Sequence, residues 1–189
     1  HADLLVSKKI YENKPSCHLD IGSRVDGLIA HLASFRKIDF LDVRSVDTSP
    51  HNNINFIKNN IMNLDISNFE KKYDSISSIG VISHVGLGRY GDEIDPEGHI
   101  KAIKNIVKLL DQNGILYIMV PVGYKRTEFN AHRVFDAEDI VKLFNNNGCK
   151  FIEFSLVDDN GNLHIDCDVQ QSKNLDFGGG IFIFKKLWK

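Results

Sequence analysis

Cysteine is scarce in this sequence. Cys17, Cys149 and Cys167 are the only three, too few and too scattered for a disulfide framework or a zinc knuckle. Reduced thiols in a cytoplasmic protein are the expectation. No stretch approaches the roughly 18 apolar residues of a membrane span, and the opening residues lack a signal-peptide pattern. A membrane partner is therefore not expected. An excess of one charge is lacking too: 23 basic against 25 acidic residues leave a formal net charge of -2. Such a chain has no bulk attraction for nucleic acid or anionic lipid. Internal repeats and Pro/Gly/Ser linkers are also absent. What is there is 189 residues, 42% hydrophobic and 25% charged. That suits one globular domain over residues 1–189.

Apolar runs along the chain switch between strand and helix spacing. Residues 16–21 (SCHLDI) read as a strand entering a glycine turn, and 26–34 (DGLIAHLAS) as a helix with Leu28, Ile29 and Leu32 on one face. Residues 37–43 and 55–61 predict the second and third strands, and 73–84 contains the fourth. Residues 95–110 predict a helix with Asp95 as cap, Pro96 in the first turn and a stripe from Ile100 to Leu110. Residues 114–120 (GILYIMV) are continuously apolar, as a strand covered on both faces must be. A capped helix follows over 136–145, then strands over 150–156 and 180–184 around a polar excursion with an Asn160–Gly161 turn. Five strand–helix alternations imply an α/β fold with a mainly parallel sheet and helices on both faces. Two final strands without a helix between them cannot be parallel neighbours, so the last one enters antiparallel. This hairpin ending resembles the Rossmann-like sheet of class I methyltransferases. A flavodoxin-like sheet would end on a helix.

Ligands of such sheets sit at the C-terminal strand edge beside the first strand. There the chain runs His18-Leu19-Asp20-Ile21-Gly22-Ser23-Arg24. An acid two residues before a glycine resembles the methyltransferase signature acid-x-Gly-x-Gly. Gly22 lets the backbone turn tightly, and Asp20 can accept from a cationic ammonium directly or through water. Arg24 departs from the pattern by standing at the second glycine. Asp42 closes the second strand 20 residues after Gly22, where a carboxylate holds the ribose hydroxyls of a bound nucleotide. Asn60 and Ile61 follow the third strand, suited to an adenine amino group and ring. With Ser23 and with Ser83 at the end of the fourth strand, these residues make the candidate cofactor set. A dinucleotide would need the spacing G-x-G-x-x-G, which is missing; S-adenosylmethionine carries no phosphate and tolerates a turn poorer in glycine.

The stretches HLDIGSRVDGLIAHLASF, SHVGLGRYGDEIDPEGH, VPVGYKRTEFNAHRVF and SLVDDNGNLH resemble a family long known only as a domain of unknown function, DUF268. They cover residues 18 to about 164. The resemblance implies S-adenosylmethionine-dependent O-methylation of nucleotide-activated sugars for bacterial capsular or surface polysaccharide. Neither composition nor spacing points to that substrate.

The middle two stretches follow the fourth and fifth strands, so their side chains can converge over a transferable methyl group. An alcohol nucleophile needs a base, or a metal that lowers its pKa. His84 and His132 are the candidate bases. Asp95–His99 and Glu128–His132 share an acid-x-x-x-His spacing that would put each pair on one helix face and offer a site for a divalent ion. Asp95 reads equally well as a helix cap. Arg89, Tyr90, Lys125, Arg126 and Arg133 are candidates for the sugar-nucleotide substrate. Two other functions remain open: a nucleotide-binding module without catalysis, and an NAD-dependent sugar oxidoreductase or epimerase. The second lacks a Tyr-x-x-x-Lys pair.

Overall fold

A computed structural model describes residues 1–48 and 51–187. Its centre is an eight-stranded sheet of order β3-β2-β1-β4-β5-β10-β8-β9. The strands are β1 His18–Ile21, β2 Ile38–Asp42, β3 Ile54–Lys58, β4 Tyr73–Ile79, β5 Leu110–Val122, β8 Cys149–Val157, β9 Leu163–His164 and β10 Gly178–Lys186. A separate hairpin pairs β6 Arg126–Glu128 with β7 His132–Val134. β1 through β5 pair in parallel, and β10 runs antiparallel between β5 and β8. The antiparallel last strand therefore sits inside the sheet.

Alternation along the strands sorts the core into two layers. Leu19, Ile21, Ile76, Leu116, Ile118 and Phe182 face α3 Gly98–Leu109 and α4 Ala137–Asn146. Phe40, Tyr117, Ile181 and Ile183 face α1 Ala2–Asn13 and α2 Ala30–Ala33. On that second face β1 carries His18 and Asp20, and β4 carries Ser75 and Ser77 before ending on the apolar Ile79. His18 lies between Ser75 Oγ (2.8 Å) and Ser77 Oγ (3.0 Å). Ser77 in turn donates to Asp20. All four are buried, and each satisfies the next, which is the condition for burying polar groups at all.

Two helical readings need correction, and one helix, α1, went unread. α1 has buried Val6 and Ile10 one turn apart, but exposed Leu4 and Tyr11 blur the stripe that would have marked it. The helix read over 26–34 is broken at Gly27, a π turn over Val25–Ile29 preceding α2. The helix read from Asp95 starts at Gly98, with Glu97 as cap. Asp95 N donates to Gly86 O (2.9 Å), which holds that residue in the preceding loop. Nor do five helices alternate with the strands. β3 and β4 are joined by two short 3-10 turns, and no helix joins β2 to β3 among the described residues.

Candidate active site

A cavity of about 220 Å³ opens at the C-terminal edge of β1, β2 and β4. Gly22 and Arg24 line it from the turn after β1, Leu41, Asp42 and Arg44 from the end of β2, and Asn59 to Ile61 from the turn after β3. Gly80, Val81, His84 and Val85 line it from the segment after β4, and Tyr90 and Asp92 from further along that loop. Five of the eight candidate cofactor residues thus meet in one wall: Gly22, Arg24, Asp42, Asn60 and Ile61.

The turn itself needs glycine. Gly22 has φ +70°, and a Cβ there would come within 2.9 Å of Val81 Cγ1, so a side chain would be strained and would narrow the cavity. Asp20, Ser23 and Ser83 do not reach the wall. Asp20 is fully buried, accepting from Ser23 N (3.0 Å), Ser23 Oγ (2.8 Å) and Ser77 Oγ. Ser23 Oγ also accepts from Ile79 N (3.1 Å). The direct contact of Asp20 with a ligand ammonium is therefore corrected: the carboxylate accepts from Ser23 and Ser77 and braces the turn from beneath. Burial raises its pKa to about 6, against the opposing hydrogen bonds from Ser77 and Ser23. Ser83 is buried as well.

Asp42 is 3% exposed and bound by its neighbour Arg44. Oδ1 accepts from Arg44 N (2.8 Å) and Nε (3.0 Å), and Oδ2 from Nη2 (2.5 Å). Asn60 Oδ1 accepts from Met62 N (2.9 Å), capping a 3-10 turn. That oxygen is committed to the backbone, contrary to its expected role toward an adenine amino group. Ile61, Val81 and Leu41 supply apolar walls. A carboxylate, a glycine turn and apolar sides suit an adenosyl group; two amides of the turn are already spent, Gly22 N on Leu41 O (2.8 Å) and Ser23 N on Asp20 (3.0 Å), where a pyrophosphate would need them.

At the reacting end, His84 lies on the cavity wall. Its Nδ1–H donates to Ala131 O at 2.6 Å, leaving the lone pair on Nε2. Burial holds its pKa below the usual imidazole value. The Tyr90 ring meets the His84 ring edge-on at 5.5 Å, and His132 lies 6.4 Å from it. His132 does not line the cavity and packs against Phe177 at 4.8 Å. Arg89 stacks on Tyr90, with 5.6 Å from guanidinium to ring centroid.

The basic residues expected to meet a diphosphate do not converge. Lys125 is paired with Asp139 (2.6 Å). Arg126 is held by Glu128 (2.8 Å) and by the carbonyl of Asp176 (2.8 Å). Arg133 is buried and donates to Val85 O at 2.6 Å. The premise of the metal site also fails. Asp95 precedes its helix and is paired with Lys101. Burial lowers the pKa of His99 to about 4, and its ring packs on Phe135. Glu128 and His132 face each other across the β6–β7 hairpin. Among the described residues no three His, Cys, Asp or Glu side chains gather around one ion position.

A family described as "Caenorhabditis protein of unknown function, DUF268" matches residues 34–186. The chain belongs to the DUF268 family. No curated protein matches its sequence. Solved structures give this DUF268 chain its fold. One is the 1,6-didemethyltoxoflavin-N1-methyltransferase of Burkholderia thailandensis, with 1,6-didemethyltoxoflavin and S-adenosylhomocysteine bound. It has a TM-score of 0.67 at 13% identity, over 99% of this chain and 79% of that one. The N-methyltransferase NodS of Bradyrhizobium japonicum, in complex with S-adenosylhomocysteine, gives 0.64 at 16%, over 97% and 84%. The [4+2]-cyclase SpnF gives 0.69 at 14%, over 99% and 82%. The DUF268 chain therefore has the Rossmann-like class I methyltransferase fold.

Sequence reasoning missed Arg44 and Val81 on the wall of this DUF268 chain, and Ala131 as the partner of His84. Asp92 caps the loop, accepting from Gly86 N at 2.6 Å. Arg44 had one usable signal, a cation two residues after the acid that ends a strand. Ala131 had none, because a backbone carbonyl carries no residue signature.

Proposed function

We propose that this chain is an S-adenosylmethionine-dependent methyltransferase acting on a hydroxyl of a carbohydrate, with His84 as the base. His84 carries the reading: a half-buried imidazole on the cavity wall, with one nitrogen anchored on Ala131 and the other left basic. The cofactor would supply an electrophilic methyl group on a sulfonium whose leaving group is a neutral thioether. Asp42 would hold its ribose, Gly22 would let it approach the backbone, and Ile61 and Val81 would flank its adenine. An acceptor hydroxyl placed against His84 Nε2 gives up its proton there as its oxygen bonds to the methyl carbon. Ala131 O then stabilises the imidazolium through Nδ1–H. Exposed aromatic rings, Tyr124 just before the β6–β7 hairpin, Phe129 within it and Phe177 against His132, suit the apolar face of a sugar ring. The nucleotide-activated form of that sugar, and a place in bacterial surface polysaccharide synthesis, rest on the family resemblance. No step is routed through a metal, since the candidate ligands do not meet.

The test is methyl transfer from labelled S-adenosylmethionine to a panel of nucleotide sugars, free sugars, RNA and peptides, with NAD as a retained-ligand control. His84→Gln should lower turnover by about 10²–10⁴-fold while S-adenosylhomocysteine still binds. Because burial lowers the His84 pKa, the acid limb of the rate profile should have its midpoint below the usual imidazole value. Methylation of RNA or peptide and of no carbohydrate would refute the substrate class. Unchanged turnover in His84→Gln would refute the base.

A further inference from the structure

Asp42 is the carboxylate that would hold the cofactor's ribose, yet both of its oxygens are already engaged. Arg44 grips it in a fork, with Nη2 at 2.5 Å from Oδ2 and Nε at 3.0 Å from Oδ1. A carboxylate has about four lone-pair positions, and the Arg44 backbone N–H takes another at 2.8 Å. A ribose diol binds through two parallel O–H donors, the same geometry that the guanidinium fork uses. With Asp42 only 3% exposed, the two cannot share it. Arg44 also has somewhere to go. Its side chain is 42% exposed, and its guanidinium already lies 5.2 Å from the centroid of the Tyr90 ring.

We propose that Arg44 is an internal competitor for the ribose subsite: it grips Asp42 through the fork that the two ribose hydroxyls need, and yields to them by moving out onto Tyr90. The proposal rests on the cavity being the adenosyl site. It makes Arg44 a determinant of cofactor affinity and of product release, because the departing product is replaced on Asp42 by an intramolecular cation. It also ties the ribose end to the reacting end, since Tyr90 touches both Arg44 and the ring of His84.

The experiment is calorimetric titration of the wild type, Arg44→Met and Arg44→Lys with S-adenosylhomocysteine, adenosine and 2′,3′-dideoxyadenosine. Arg44→Met keeps the side chain's bulk and removes the fork, leaving a buried carboxylate that gains most from a diol. It should bind S-adenosylhomocysteine and adenosine about three- to tenfold tighter than wild type, with dideoxyadenosine unchanged. Arg44→Lys, which keeps the charge without the fork, should fall between, and carries the test if Arg44→Met does not fold. Added salt should tighten adenosine binding in the wild type and not in Arg44→Met, because salt screens the exposed guanidinium of the Arg44–Asp42 pair. Equal tightening of all three ligands, or weaker binding of S-adenosylhomocysteine, would overturn the competition. Failure of all three proteins to bind either ribose ligand would overturn the adenosyl site itself, and the competition with it.

Discussion

A buried carboxylate must be neutralised by its surroundings, and Asp20 and Asp42 meet that demand differently. Asp42 has a cation on it. Asp20 has only hydroxyls and an amide, and its pKa is raised to about 6 by burial. A raised carboxylate pKa means that the native state prefers the protonated form. The stability this group contributes is therefore fully present below its unfolded value of 3.8 and is lost as pH rises through about 6. Two units correspond to about 3 kcal/mol in total. Asp20→Asn removes the titration and keeps an oxygen for Ser23 N, while the Ser23 and Ser77 hydroxyls can rotate to accept. Urea unfolding should show the variant gaining on wild type by about 2 kcal/mol between about pH 4.5 and about pH 7.5. A constant difference across that range would show that Asp20 does not titrate there. The motif acid-x-Gly located both residues, but their roles separated only in three dimensions. Gly22 is legible as a turn; that Asp20 lies under the turn and not beside the ligand depends on which face of β1 it occupies.

Elements were legible where one periodicity acted alone. α4, with Asp136 capping it at Glu138 N (2.8 Å), and the apolar centre of β5 stand where their patterns put them. The boundaries that moved were decided by tertiary contacts. α3 starts late because Gly98 packs on Gly86, where a Cβ would meet Asp95 O at 2.2 Å. The acid-x-x-x-His spacing misled for a related reason: 128–132 is a hairpin, so the spacing reports strand opposition and not a helix face. That hairpin is part of the site through Arg133. Its side chain donates to Val85 O (2.6 Å) and its backbone N to Ser83 O (2.9 Å), fixing β7 to the segment that carries His84. Arg133→Met keeps the stem but leaves Val85 O without this donor, a loss of about 1–3 kcal/mol in a buried place. The urea midpoint should fall accordingly and turnover should drop, while S-adenosylhomocysteine affinity, set at β1 and β2, should stay within about twofold. A parallel loss of affinity would mean that the hairpin also shapes the cofactor end.

At the scale of the whole molecule, the sheet order decides what kind of ligand the fold can take. β1 lies between β2 and β4, so the turn after it, the end of β2 and the loop after β4 open onto one cavity. A dinucleotide needs the turn after β1 to place several amides on its pyrophosphate; here that turn is Gly22-Ser23-Arg24, with Ser23 buried and tied to Asp20. An adenosyl ligand without phosphates needs only the close approach that Gly22 allows and the carboxylate of Asp42. Binding to the folded chain alone stabilises it by about 2.7 kcal/mol at a hundredfold excess over Kd. For a domain of this size each kcal/mol raises Tm by roughly 2–4 °C. S-adenosylhomocysteine at that excess should therefore raise the melting temperature by about 5–10 °C, and NAD at the same concentration should leave it unchanged. The reverse order of shifts would make this cavity a dinucleotide site and the glycine turn a poor guide to it. A shift with S-adenosylhomocysteine that disappears in Asp42→Ala places the ligand against the end of β2, which a melting curve of the wild type alone cannot do.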